Sequence, residues 1–233
     1  MSDSFNVIKI FGEHLVNPSV LKKYPVVINA GVHQGQEMYD LMDITSDVQI
    51  YAIEPSRACY NIVFNTFESY KNIKFINKAL VGSNRTGTVQ FTDFLSNGKY
   101  YDYGGLQELS EFRSSGETYD VDIINMKELL EDMDSDIGYF KADIEGSEYE
   151  IIMDFDKEIA SKVKQIALEI QDIPSKSYSE CKNDIINKLE SLDYSVYTHQ
   201  DGDITNDKES SEIINGQEFK TGGLYAIKKE EIK

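Results

Sequence analysis

"PVVINAGVHQGQE" (Pro25 to Glu37) passes from a short apolar run into a turn with two glycines and then into a helix pattern. Val26 to Asn29 reads as a buried strand, and the stretch "QEMYDLMDI" behind the turn reads as a helix. Gly31 and Gly35 flank Val32, His33 and Gln34, giving a G-x-x-x-G turn. Glycine lets the backbone take φ > 0 and lets a ligand approach the chain closely. The helix behind presents free N–H groups, which suit a carboxylate or a phosphate. An ordinary strand-to-helix turn also uses two glycines, so the turn alone names no ligand.

The same alternation continues outward. "QIYAIEP" (Gln49 to Pro55) is a second strand stopped by Pro55, and "RACYNIVFNTF" (Arg57 to Phe67) is a helix. "IKFINKALV" (Ile73 to Val81) reads as one third strand. This order predicts an α/β fold with a doubly wound, mostly parallel sheet. "TGTVQFTDF" (Thr86 to Phe94) then alternates with period two, and "TYDVDII" (Thr118 to Ile124) is a further strand. The Gly/Ser/Tyr-rich stretch Ser96 to Glu117 between them reads as a loop, so residues 86–124 are expected to be an inserted hairpin and loop. Asn125 is a plausible cap for the helix "MKELLEDM". The parallel pattern resumes at "IGYFKADIEG" (Ile137 to Gly146), followed by a helix, the strand Val163 to Asp172 and an amphipathic helix, Ser177 to Tyr194. "YSVYTHQ" and "GGLYAIKK" close the sheet, the last strand antiparallel, with Asp201 to Glu218 as an exposed loop. The whole of 1–233 reads as one domain, with 1–24 an N-terminal extension.

Composition narrows the function classes. Forty-one acidic residues against 23 basic ones give a net charge of −18. That field repels a polyanion, and no Lys/Arg cluster with interleaved aromatics offsets it, so a nucleic-acid partner is not expected. No apolar run approaches a membrane span and no secretory signal opens the chain, so the expected setting is cytoplasmic with no membrane partner. Two isolated cysteines, Cys59 and Cys181, make neither a zinc site nor a disulfide framework.

Glu54 ends the second strand, 54 − 35 = 19 positions after Gly35, where doubly wound folds place an acid that accepts ribose hydroxyls. A surface Glu before a proline is the ordinary alternative. His33 stands where a dinucleotide fingerprint needs its middle glycine, which disfavours a pyrophosphate and a nicotinamide dehydrogenase. A nucleoside without a pyrophosphate fits better, and S-adenosylmethionine is the candidate. "KADIEGSEYE" (Lys141 to Glu150) puts Asp143 at a strand tip, with Glu145 and Glu148 suited to capping the next helix. Glu169 interrupts an apolar strand and needs either a partner or a cavity.

Taken together, "NAGVHQG", "IEPS", "NKALVG", "FKADIEGSEYEII" and "LEIQ" resemble the FkbM family of S-adenosylmethionine-dependent methyltransferases. The resemblance covers roughly Val26 to Gln171 and implies a Rossmann-like class I methyltransferase sheet. It implies a cofactor site of Asn29, Gly31, His33, Gly35, Glu54 and Asp143, with Asn77 or Lys78 bordering the adenine. It also implies O-methylation of a sugar or natural-product hydroxyl, with Asp143 or Glu169 accepting the proton. Three positions depart from the family pattern: Asn29 replaces Asp, His33 replaces Asn and Gln171 replaces His. Those departures motivate one alternative, a catalytically impaired nucleoside-binding or scaffold protein. A metal-assisted reaction using Asp143 with Glu169 or Asp172 ranks below the metal-free one.

Overall fold

The computed structural model describes residues 7–10, 14–96, 99–106, 116–131, 133–199, 210–214 and 217–232. In chain order the elements are β1 (Ile8–Ile10), β2 (His14–Val16), α1 (Pro18–Lys23), β3 (Val26–Ala30), α2 (Gln36–Ile44), β4 (Gln49–Ile53) and α3 (Arg57–Phe67). There follow β5 (Ile73–Ile76), β6 (Ala79–Val81), β7 (Thr88–Ser96), β8 (Lys99–Leu106), β9 (Gly116–Asn125), α4 (Met126–Glu131) and β10 (Tyr139–Ala142). The remainder is α5 (Glu148–Met153), α6 (Lys157–Lys162), β11 (Gln165–Gln171), α7 (Tyr178–Ser191), β12 (Tyr194–His199), β13 (Ser210–Ile214) and β14 (Gln217–Lys228).

The main sheet runs β12-β14-β11-β10-β3-β4-β5, with β13 attached to β14. The neighbours from β11 to β5 are parallel, and β14 is antiparallel to both β11 and β12. Strand order reverses between β3 and β10, which opens a crevice at their carboxyl ends. Both faces are covered, so the central strands read as nearly unbroken apolar runs. Ile28, Ile53, Phe140, Leu168 and Leu224 pack on one face with α5 and α7. Val27, Ile50, Tyr139 and Ala167 pack on the other with α2, α3 and the N-terminal hairpin.

Local chemistry sets the helix starts. Ser56 accepts from Cys59 N at the start of α3, and Asn125 and Glu128 form a reciprocal pair at α4. At α1, Asn17 accepts from Ser19 N and Val20 N, with Pro18 in the first turn.

Three expectations are corrected. The expected third strand is two strands: Asn77 and Lys78 separate β5, in the main sheet, from β6, which joins a second sheet of order β6-β9-β7-β8. Asn77 Nδ2 donates to Glu54 O at 2.7 Å and Pro55 O at 3.3 Å, so the chain turns away at that point. The expected loop Ser96 to Glu117 contains β8, antiparallel to β7. The expected loop Asp201 to Glu218 contains β13, which pairs with β14, while residues 201–209 lie outside the described residues.

The N-terminal segment is integrated into the core. Gln165 Oε1 accepts from Asn17 N at 2.8 Å and from Tyr225 OH at 2.8 Å, and its Nε2 donates to Asn17 O at 3.2 Å. Leu15 and Val20 pack with Tyr225 and Ile227 of the last strand. Among the described residues no helix is long and apolar enough to cross a membrane.

Candidate active site

Register brings the candidate residues onto one level. Ala30 pairs with Ile53 and with Ala142, Ile53 with Ile76, and Ala142 with Leu168. The next residue of each strand therefore stands in one row across the carboxyl edge: Asn77, Glu54, Gly31, Asp143 and Glu169. The row continues through Gly223, which pairs with Glu169, to His199, which pairs with Gly223.

The glycines of the turn are explained by the protein's own packing. Gly31 has φ +75°, and a Cβ there would lie 1.8 Å from Asp143 O. Its missing side chain lets β3 and β10 converge. Gly35 has φ +84°, and a Cβ there would meet Phe67 and Val63 of α3 at 2.7 Å. Between them His33 takes φ +50°, an unusual conformation for a residue with a side chain.

Glu54 holds that turn. Its Oε2 accepts from His33 N at 2.8 Å and its Oε1 from Ser56 N at 2.9 Å. Burial pushes its carboxyl up to about 7 against the pull of those two amides. Each oxygen keeps a further lone pair for a ligand hydroxyl.

Behind Gly31 lies a buried polar cluster. Lys141, 2% exposed, donates from Nζ to Gly31 O at 3.0 Å. The same Nζ lies 3.4 Å from Glu37 Oε2 and 3.7 Å from Asp143 Oδ2. Burial alone would lower this ammonium, but Glu37 and Asp143 outweigh it and hold it above its usual value. His14 Nε2 lies 3.4 Å from Glu37 Oε1 and 3.6 Å from Asp143 Oδ2. Asn29 is fully buried and donates from Nδ2 to Glu37 Oε2 at 3.4 Å.

Asp143 and Glu169 are adjacent in the row, and their surroundings shift the two carboxyls in opposite directions. Burial raises Asp143, but Lys141 and His14 overcome it and hold the carboxyl well below the usual range. Burial, and then the charge of Asp143, push Glu169 well above that range. Shifts of opposite sign in two neighbouring carboxyls are the arrangement that separates acid and base roles.

The turn after Asp143 is fixed from within. Glu148 accepts from Ile144 N at 2.5 Å and Gly146 N at 2.8 Å, and burial raises its carboxyl to about 8 despite those amides. Glu145 and Gly146 take positive φ there, at 61° and 111°. Glu148 was expected to cap the helix, but the amides it binds lie in the turn ahead of α5.

Sequence reasoning missed His14, Glu37, Lys141 and His199 as members of the site. His199 is 3% exposed, and its ring occupies the space over Gly223, where a Cβ would lie 2.0 Å from Cε1. The inserted sheet is tied to the start of α3: Tyr119 OH donates to Asp93 Oδ2 at 2.7 Å and accepts from Arg57 N at 3.0 Å. Lys78 is half-buried beside Asn77. Among the described residues no group of three or more His, Cys, Asp or Glu side chains is placed to hold a metal ion.

A model described as the methyltransferase FkbM domain matches residues 29–196. No curated protein matches the sequence. Among solved structures, the methyltransferase FkbM from Methylobacillus flagellatus is similar at 14% identity and a TM-score of 0.51. That alignment covers 87% of this chain but 43% of the other, so this chain spans less than half of that protein. A precorrin-6y C5,15-methyltransferase from Geobacter metallireducens shares 12% identity at a TM-score of 0.47, covering 91% of this chain and 85% of that one.

Proposed function

The chain belongs to the FkbM methyltransferase family, and on that premise we propose that it is an S-adenosylmethionine-dependent O-methyltransferase acting on a hydroxyl of a sugar or small natural-product-like acceptor. One observation carries this reading. Asn77, Glu54, Gly31, Asp143 and Glu169 stand in a single register row at the crevice where strand order reverses.

The donor set suits that cofactor. Glu54 offers two free lone pairs to a pair of ribose hydroxyls, and Asn77 and Lys78 border the adenine side. Asn29, Gly31, His33 and Gly35 shape the turn against which the methionine end lies. Asp143, 28% exposed at its side chain, offers negative charge to the cationic end of the cofactor, its ammonium and its sulfonium. When bound, the cofactor supplies an electrophilic methyl group on a sulfonium, and positioning carries much of the remaining barrier.

The carboxyl pair divides the remaining work. Asp143 is held ionised and is therefore a weak base that orients positive charge. Positive charge brought beside the pair favours ionisation of Glu169. Once ionised, Glu169 is the stronger base and accepts the proton of the acceptor hydroxyl.

The test is calorimetric titration with S-adenosylmethionine and S-adenosylhomocysteine, for the wild type, Glu54→Gln and Glu54→Ala. Micromolar binding that is weakened in both variants supports the reading and justifies an acceptor screen. If the wild type binds neither compound, the enzyme reading is abandoned.

A further inference from the structure

We propose that Glu37 is a positioning residue that balances the buried Lys141 from the helix side and so leaves the charge of Asp143 available to a cationic ligand. This rests on the reading above and goes beyond it, because it assigns a function to a residue outside the G-x-x-x-G turn and a reason for Asn29.

A buried ammonium needs a compensating carboxylate. Lys141 has two in reach, Glu37 Oε2 at 3.4 Å and Asp143 Oδ2 at 3.7 Å. In the sheet the residue beside Lys141 is Asn29, on the adjacent strand. That position carries an amide, and its Nδ2 donates to Glu37 while its Oδ1 is buried without a hydrogen-bond partner. The amide therefore serves as a donor that fixes Glu37, and the negative charge sits on α2 instead of β3. His14 Nε2 lies 3.4 Å from the other oxygen, Glu37 Oε1.

Exposure separates the two carboxylates. The Glu37 side chain is 9% exposed and that of Asp143 is 28%. Only Asp143 has a substantial face toward the crevice. Of the two carboxylates that face the Lys141 ammonium, Asp143 is the more accessible to a ligand. Without the charge of Glu37, Asp143 becomes the sole carboxylate counter-ion of Lys141 and its charge is drawn inward.

The experiment uses the full chain and three variants: Glu37→Gln, Asn29→Asp and the two combined. Each is titrated with S-adenosylmethionine, which carries a sulfonium charge, and with S-adenosylhomocysteine, which lacks it. Thermal midpoints are recorded in parallel. Glu37→Gln is expected to weaken S-adenosylmethionine roughly tenfold or more, and S-adenosylhomocysteine less. Asn29→Asp alone is expected to lower the midpoint, because a third carboxylate then crowds one ammonium. The double variant is expected to recover both the affinity ratio and the midpoint.

A merely structural Glu37 would lower the midpoint and leave the ratio of the two affinities unchanged, which overturns the proposal. A double variant no better than Glu37→Gln overturns it as well. If Glu37→Gln does not fold, folding of the double variant supports the proposal and its failure to fold overturns it. If the wild type binds neither compound, the methyltransferase reading fails separately. The midpoints then decide alone, with non-additivity supporting the charge exchange and additivity overturning it.

Discussion

His14 Nε2 lies 3.6 Å from Asp143 Oδ2, so a residue of the N-terminal hairpin forms part of the wall behind the fourth parallel strand. The imidazole is 4% exposed and also faces Glu37. His14→Ala should leave two carboxylates with one fewer polar neighbour and open a void above the sheet. A loss of about 1–3 kcal/mol in urea unfolding is expected. An unchanged unfolding midpoint would show that the hairpin does not hold the site.

Gln165 is the clasp for that hairpin. Gln165→Ala removes the one amide to which Asn17 N, Asn17 O and Tyr225 OH are all tied. Each buried group left unsatisfied costs about 1–3 kcal/mol. Hydrogen exchange at residues 14–17 should accelerate well before exchange in β3 or β10. Equal protection in the variant and the wild type would refute the clasp.

Gly31→Ala is expected to unfold the chain or to cost more than about 4 kcal/mol, because the new Cβ meets a backbone oxygen of the neighbouring strand. Gly87→Ala is the control. It has φ +84° but nothing within 4 Å of the added atom, so its cost should stay near about 1 kcal/mol. Similar losses at both glycines would mean that φ, and not the contact with Asp143, sets the requirement at Gly31.

Stability should fall as pH rises from about 5 to about 8. Glu54 and Glu148 have folded values raised from 4.5 to about 7 and about 8. Between those limits the unfolded chain has released the proton that the folded chain retains, so raising pH favours unfolding. The slope is about 1.4 kcal/mol per pH unit for each group within its own window. Glu54→Gln should flatten the profile below pH 7, whatever it does to the absolute midpoint. A wild-type profile that rises across this range would contradict both assignments.

Strongly periodic elements were legible in the sequence. The bounds of α2 and α3 agree with expectation because Gly35 and Ser56 mark their starts and their apolar residues keep helical spacing. Asp143 was legible as an acid at a strand tip and Glu169 as an acid within an apolar strand, and the register sets them side by side. The break between β5 and β6 was not legible. "IKFINKALV" is nearly continuous in hydrophobicity, and the turn depends on Asn77 reaching the carbonyls of Glu54 and Pro55. β8 lay hidden in a Tyr/Gly-rich stretch that imitates a loop. His14 and Glu37 gave no local signal, because the fold brings them together from separate elements and adds Lys141 and Asp143 from far along the chain.

β14 lies between β11 and β12, although it follows both of them in sequence. During synthesis on a ribosome the sheet therefore keeps an open slot until residues up to Lys228 have emerged. The hairpin that carries His14 waits as well, since Leu15 and Val20 pack against Tyr225 and Ile227. Contacts this distant in sequence slow the search for the native state. The nascent chain thus holds Lys141 and its carboxylates without their cover until β14 has emerged, and the site is assembled together with that strand.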